Sequence, residues 1–325
     1  MTKPKVFVTR IIPEPGLSLV TDFCQADVWP EELPPAPDVL LERVKGVDGL
    51  LCLLTDKIDA AVMDAAGPQL KVISNHAVGY DNIVIPDATA RGIPVGNTPG
   101  ILTDATADMA FALLMAAARR VVEGDQFVRS GGWKTWGPSF MLGADFAGAT
   151  LGLIGFGRIG QAVARRAVGF GLNILYTDPY PSPEPGVNAQ RVDLDTLLRE
   201  SDFISIHTLL NEETHHLINA DSLSKMKPTA ILVNTSRGPV VDQEALYAAL
   251  KSKRIFAAGL DVTDPEPLPP DSPLLELDNI VITPHIASAS WTTRAKMARM
   301  AAENLIAGLS GKRLPHCVNR EIYEK

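Results

Sequence analysis

The sequence predicts an α/β protein of two Rossmann-like, doubly wound domains, and three observations carry that prediction. Short Val/Ile/Leu-rich runs alternate with segments of helical period, as in parallel βαβ units whose strands are covered on both faces. The pattern occurs twice, interrupted by a long Ala-rich segment and a Gly/Trp-rich patch. The second series opens on a glycine-rich turn between an apolar run and a helical one. A chain of 325 residues, 46% of them hydrophobic, has enough apolar material for two cores.

In the first series the expected strands are Lys5–Thr9, Gly49–Leu54, Leu70–Ser74 and the short Pro94–Gly96. Helical segments such as Asp59–Ala66 and Pro86–Arg91 lie between them. Thr103 to Val128 then reads as one long Ala-rich helix, capped by Thr103 or Asp104. It is followed by the turn-rich patch Gly131 to Pro138. The second series gives six strands: Leu151–Ile154, Asn173–Thr177, Phe203–His207, Ala230–Asn234, Ala257–Val262 and Ile280–Thr283. Six is the count of a complete dinucleotide-binding sheet. Helices are expected at Ile159–Val168, Asp195–Glu200, Ala220–Met226 and Gln243–Lys251. A terminal helix, about Trp291–Gly308, follows the closed sheet and returns to the first domain. The expected division is therefore residues 1–99 with 287–325, and residues 100–286.

Composition excludes several classes of function. A net charge of −8 gives no support for a nucleic-acid partner. Cys24, Cys52 and Cys317 are far apart, with no CxxC, so neither a disulfide framework nor a metal site is expected. The N-terminus enters a strand at once without a signal-like apolar region, and no run approaches the ~20 residues of a membrane helix. The expectation is a cytoplasmic protein. His215 and His216 are adjacent, and adjacent side chains on a regular element do not face one way, which argues against a metal pair. His76 and His316 carry no assignment.

The turn Gly155-Phe156-Gly157-Arg158-Ile159-Gly160 has the context that makes such a motif informative, a strand before it and a helix after. Gly155 permits the tight turn, Gly157 lets a pyrophosphate approach the backbone, and Gly160 lets helix and strand pack closely. Helix N-terminal amides, here those of Arg158 and Ile159, favour the anion. Asp178 ends the next strand, about 20 residues on, where a carboxylate accepts bonds from ribose hydroxyls and repels a 2′-phosphate. The loop from Pro179 to Gly186 holds no Arg or Lys. NAD(H) is therefore expected in preference to NADP(H).

Further blocks complete the picture: Ala77 to Ile83, Gly96 to Gly100 with Thr106-Ala107-Asp108, Asn234 to Asp242, Gly259 to Pro267, and Thr283 to Ser288. Arg237, past a strand on a turn eased by Gly238, offers a planar fork to a carboxylate or keto oxygen, although such an Arg standing alone more often serves a surface ion pair. His285 ends the last strand, and an imidazole is the side chain suited to giving a proton near neutrality, although a single His more often serves a structural role. Glu266, on a Pro-flanked loop, is placed to hold that imidazole and fix its tautomer.

Taken in order and spacing, these blocks make the chain resemble, nearly end to end, the D-isomer-specific 2-hydroxyacid dehydrogenases, and among them the glyoxylate/hydroxypyruvate reductases. The resemblance implies a flavodoxin-like substrate domain and an NAD-binding Rossmann domain separated by a deep cleft, closing about the two crossings of the chain. It implies hydride transfer from NADH to a small 2-keto acid, with Arg237 binding substrate, Glu266 orienting and His285 giving the proton. Val78 and Gly79 match the loop whose amides bind the substrate carboxylate, and Ser288 lies beside that pocket. Asp261 matches the residue that bonds the nicotinamide amide; Thr106, His207, Thr235 and Ser236 match cofactor-lining segments. The family implies a homodimer, with Thr103–Val128, Trp133 and Trp136 as the interface and Trp136 reaching the partner's site. One departure is His207-Thr208-Leu209-Leu210, where many relatives carry Pro. The rival expectations are a D-lactate, D-3-phosphoglycerate or other D-2-hydroxyacid dehydrogenase and, from another class, an NAD-sensing corepressor.

Overall fold

The computed structural model describes residues 2–180 and 186–324. The chain forms two compact units, residues 1–102 with 289–325 and residues 103–288. The changeovers fall a few residues later than the sequence suggests, which leaves Ser288 with the second unit.

The first unit holds β1 (Lys5–Val8), β2 (Gln25–Val28), β3 (Gly49–Cys52), β4 (Val72–Asn75) and β5 (Val95–Gly96). All are parallel, in the order β2-β1-β3-β4-β5. β3 and β4 are buried along their whole length, which is why they read as unbroken apolar runs. Helices α1 (Gly16–Phe23), α2 (Pro37–Arg43), α3 (Ala60–Ala66) and α4 (Ile85–Ala90) connect them, and the helix Trp291–Leu309 joins the same unit. One core, around Phe7, Leu50 and Ile73, faces α2 and α3; the other, around Val8, Leu51 and Val72, faces α1 and Trp291–Leu309. Gly16 brings α1 against that terminal helix, since a Cβ there would lie 2.5 Å from Ala298 backbone. β2, α1 and α2 are additional to the elements expected from sequence. β2 is an edge strand, Gln25-Ala26-Asp27-Val28, half-exposed and too polar to stand out by composition.

The second unit begins with α5 (Thr103–Ala118) and α6 (Val121–Arg129). The single helix expected over 103–128 is broken at Arg120, which adopts a left-handed conformation (φ 53°). Two contacts account for the break. Ala144 N donates to Ala118 O at 2.9 Å, capping α5, and the Arg120 guanidinium binds Glu123 at 2.6 Å. The sheet comprises β6 (Thr150–Ile154), β7 (Asn173–Thr177), β8 (Ala189–Arg191), β9 (Phe203–Ile206), β10 (Ile231–Asn234), β11 (Ala257–Leu260) and β12 (Ile280–Ile282). Its order is β12-β11-β10-β9-β6-β7-β8, all parallel. It has seven strands where six were expected, because the short, exposed edge strand β8 carries no apolar signal. Helices α5 and α7 (Arg158–Gly169) cover one face, while α8 (Leu194–Glu200), α9 (Ala220–Lys225) and α10 (Gln243–Lys251) cover the other. Successive strands run outward from β6 to β7 and β8 on one side and from β9 to β12 on the other, so strand order reverses between β6 and β9, and the carboxyl ends of that pair form the crevice where open α/β sheets bind ligands. No helix of the described residues is long and apolar enough to cross a membrane.

Candidate active site

The carboxyl edge of the second sheet gathers most of the residues singled out above. Gly155 follows β6 directly at φ 90°, a conformation that disfavours any side chain, and a Cβ there would lie 2.6 Å from His207 O at the end of β9. Gly160 permits closure of the turn, since its Cβ would meet Gly155 O. Gly157 differs: a Cβ there would meet nothing within 4 Å, so glycine keeps open space over the backbone. Helices α8, α9 and α10 start with side-chain caps from Asp193, Asn219 and Asp242, whereas α7 starts at Gly157 with none. Its first amides, Arg158, Ile159 and Gly160, find no acceptor among the described residues. Free N–H groups under open space, at the positive end of a twelve-residue helix, suit a pyrophosphate.

Asp178 stands beside this turn. Its Oδ2 accepts from Phe156 N at 2.7 Å and its Oδ1 from Tyr180 N at 2.9 Å, so the carboxylate is pinned at the end of β7 with lone pairs to spare. Residues 181–185 of the adjoining loop lie outside the described residues. The loop's own sequence holds no Arg or Lys, but Arg191 on β8 reaches it, donating to Asp178 O (2.8 Å) and Pro179 O (3.1 Å). Only strand pairing brings it there, so no scan of the loop finds it. His207 Nε2 lies 2.9 Å from Ser205 Oγ, and burial pushes its imidazole down to about 3, keeping the ring neutral. Thr106 is buried on α5, and Thr235 is buried after β10 with no partner for Oγ1 among the described residues, so that hydroxyl has unused capacity to bond a ligand. The Ser236 hydroxyl instead donates to Asn234 Oδ1 at 2.8 Å.

Arg237 follows β10 on a turn organised by Asn234, whose Nδ2 donates to Arg237 O at 2.8 Å and whose Oδ1 accepts from Ser236 N at 3.0 Å. Gly238 is the next residue, and a Cβ there would lie 1.9 Å from Thr263 O. The turn carrying Arg237 therefore rests on the backbone leading to Glu266. His285 Nδ1 lies 2.5 Å from Glu266 Oε1, with both side chains partly exposed. His285 adopts a left-handed backbone (φ 53°), sparsely populated outside glycine although His is among the residues that tolerate it.

Asp261, immediately after β11, holds that conformation. Its buried carboxylate accepts from Thr283 Oγ1 (2.6 Å) and Ile286 N (2.8 Å) through Oδ1, and from Ala287 N (2.7 Å) through Oδ2. His285 N donates to Asp261 O at 2.9 Å. For Asp261 the resemblance implies a cofactor contact alone; this bracing joins residues 22 to 26 apart in sequence, beyond the reach of any local motif. Replacing Asp261 with Ala is expected to lower the melting temperature, because it leaves the Ile286 and Ala287 amides unpaired and releases the turn that carries His285. Thermal unfolding followed by circular dichroism checks it.

Val78 and Gly79 lie in the first unit, after β4, and Ser288 is partly exposed in the second. The His215 and His216 rings stack with centroids 4.0 Å apart, against the expectation that they face apart; His216 at φ 50° breaks the regular backbone behind that expectation.

Comparison with known proteins converges. Residues 111–287 match the NAD binding domain of the D-isomer specific 2-hydroxyacid dehydrogenases. The chain is 58% identical to the glyoxylate reductase of Korarchaeum cryptofilum, over 98% of this chain and 97% of that one. A crystal structure of a Thermus thermophilus protein superposes with a TM-score of 0.92 at 50% identity, covering 97% of this chain and 99% of that one. The NADPH-dependent glyoxylate/hydroxypyruvate reductase of Sinorhizobium meliloti, solved with NADP and malonate, gives 0.84 at 32% identity over 98% of this chain and 97% of that one.

Proposed function

This chain belongs to the D-isomer specific 2-hydroxyacid dehydrogenases, and from that premise we propose that it reduces glyoxylate, and hydroxypyruvate with it, to the 2-hydroxy acid using NADH. The substrate assignment is supported by similarity to a glyoxylate reductase over nearly the whole chain. The chemistry is supported by one observation above the rest, the 2.5 Å contact between His285 Nδ1 and Glu266.

NADH, when bound, supplies the hydride that reaches C2 of the keto acid. The free amides of α7, the open space over Gly157, and Asp178 are the groups suited to hold it. Reduction also needs a proton on the developing alkoxide. Glu266 occupies Nδ1 of His285, so the proton a charged imidazole can give is on Nε2. After transfer the ring is neutral and, being partly exposed, regains a proton from solvent. Arg237 supplies a fixed positive charge for the acid and the developing oxyanion. The test is steady-state oxidation of NADH against a panel of 2-keto acids; turnover of none of them sinks this reading.

The preference for NADH rests on the Asp178 carboxylate, which would face a 2′-phosphate, while the Arg191 guanidinium is committed to two backbone carbonyls. Wild-type kcat/KM is expected to favour NADH over NADPH by about 10-fold or more, and Asp178→Ala to cut the ratio by about 10–100-fold, the worth of charge-assisted bonds to ribose. An unchanged ratio excludes Asp178 as the discriminator. Gly157→Ala is expected to raise the Kd for NADH by about 10-fold or more with an unaltered melting temperature, because its methyl fills only the pyrophosphate's space.

We also infer a homodimer. Helix α6 buries no residue, and the segment after it exposes Trp133, Trp136 (79%), Phe140 and Leu142, an apolar surface of the kind that marks a protein interface. Light scattering should return twice the 34.9 kDa chain mass. The three buried free thiols suit a reducing, cytoplasmic setting.

A further inference from the structure

In the first unit, three successive carbonyls after β4 are turned inward, each by a different donor. Ala77 O accepts from Thr98 N at 2.9 Å. Val78 O accepts from Asn97 Nδ2 at 2.8 Å, and Gly79 O from Asn75 Nδ2 at 2.9 Å. In a planar trans peptide the N–H points opposite to the carbonyl. Fixing these three carbonyls therefore aims the N–H groups of Val78, Gly79 and Tyr80 away from the protein interior. None of the three has an acceptor among the described residues, and Val78 to Tyr80 lies where burial gives way to exposure. Successive free amides of this kind make an anion-binding nest.

The two asparagines are themselves held. Asn75 is fully buried; its Nδ2 also donates to Asn82 Oδ1 at 3.0 Å, and Asn82 Nδ2 in turn binds Leu53 O and Asp56 O. Asn97 N donates to His316 O, and Asn97 O accepts from Nδ2 of the buried Asn304 at 2.9 Å. Side-chain amides set in this way have no freedom to release the loop.

We propose that Asn75 and Asn97 are positioning residues that preset the Val78–Tyr80 amides to receive the carboxylate of a small 2-keto acid. The inference rests on the substrate class proposed above. A nest assembled before the ligand arrives has little ordering cost at binding, so losing either brace weakens carboxylate affinity without touching the proton donor.

The test uses oxamate, a carboxylate that resembles the substrate but is not reduced, titrated into the NADH-loaded enzyme and followed by NADH fluorescence. Asn75→Ala and Asn97→Ala are each expected to raise the oxamate Kd and the glyoxylate KM in parallel by about 10-fold, with kcat and NADH Kd little changed. Asn97→Asp keeps the shape of the side chain while replacing the donor by a charged acceptor, and should weaken oxamate further still. A merely structural role predicts the opposite split: a lower melting temperature and active fraction, with unchanged oxamate affinity in the folded enzyme. That result overturns the proposal, as does a wild type that does not bind oxamate. If the wild type reduces no keto acid yet binds oxamate, and the variants lose that binding, the substrate reading fails and the bracing stands. If the wild type reduces glyoxylate and the variants bind oxamate as tightly as it does, the bracing fails and the substrate reading stands.

Discussion

Replacing His285 with Gln is expected to lower kcat by about 10²–10⁴-fold, the usual contribution of a positioned general acid, while leaving the Kd for NADH near its wild-type value. Gln retains a polar side chain but has no acidic proton to give, so the loss falls on the proton-transfer step. Its backbone position is held by Asp261, Thr283 and Leu260, not by the imidazole. The folded enzyme should therefore persist, with an unaltered melting temperature. Single-turnover kinetics at saturating NADH read the effect directly. A variant whose kcat and NADH affinity fell together would make His285 a structural residue and remove the proton donor from the mechanism.

Gly238→Ala should be nearly as damaging, for a reason that lies in the backbone. The new methyl carbon would stand 1.9 Å from Thr263 O and 2.2 Å from Thr263 C, so one of the two segments must move. One bears Arg237 and the other leads to Glu266, and thus to His285. A displacement on the order of 1 Å between catalytic groups costs about 100-fold in rate, and forcing volume into a packed site costs about 1–3 kcal/mol of stability. The expected variant folds with a lower melting temperature and loses about 100-fold in kcat/KM for glyoxylate. Undiminished activity would mean that Arg237 and Glu266 do not need their mutual spacing.

The central strands were legible because burial on both faces leaves unbroken apolar runs, as in Phe203–Ile206 and Ile231–Asn234. The edge strands β2 and β8 were not, because a half-exposed strand needs no apolar composition. The break at Arg120 was invisible for a related reason: an Ala-rich run favours helix throughout, and a contact from Ala144 far along the chain ends it. Among site residues, the Glu266–His285 contact joins two motifs the sequence already displayed. The second role of Asp261, the reach of Arg191 and the bracing by Asn75 and Asn97 had no comparable signal.

The sequence alone determined the two α/β series and the glycine turn before α7, which are written in local periodicity and in the strand and helix that flank the turn. Arg237, Glu266 and His285 stand out in it only through the resemblance of the blocks that carry them. Tertiary structure alone decided the left-handed seat of His285, the contact of Gly238 with Thr263, and which amides around Val78 stay free. Those depend on where carbonyls point, and a carbonyl's direction is set by whichever donor the fold brings to it.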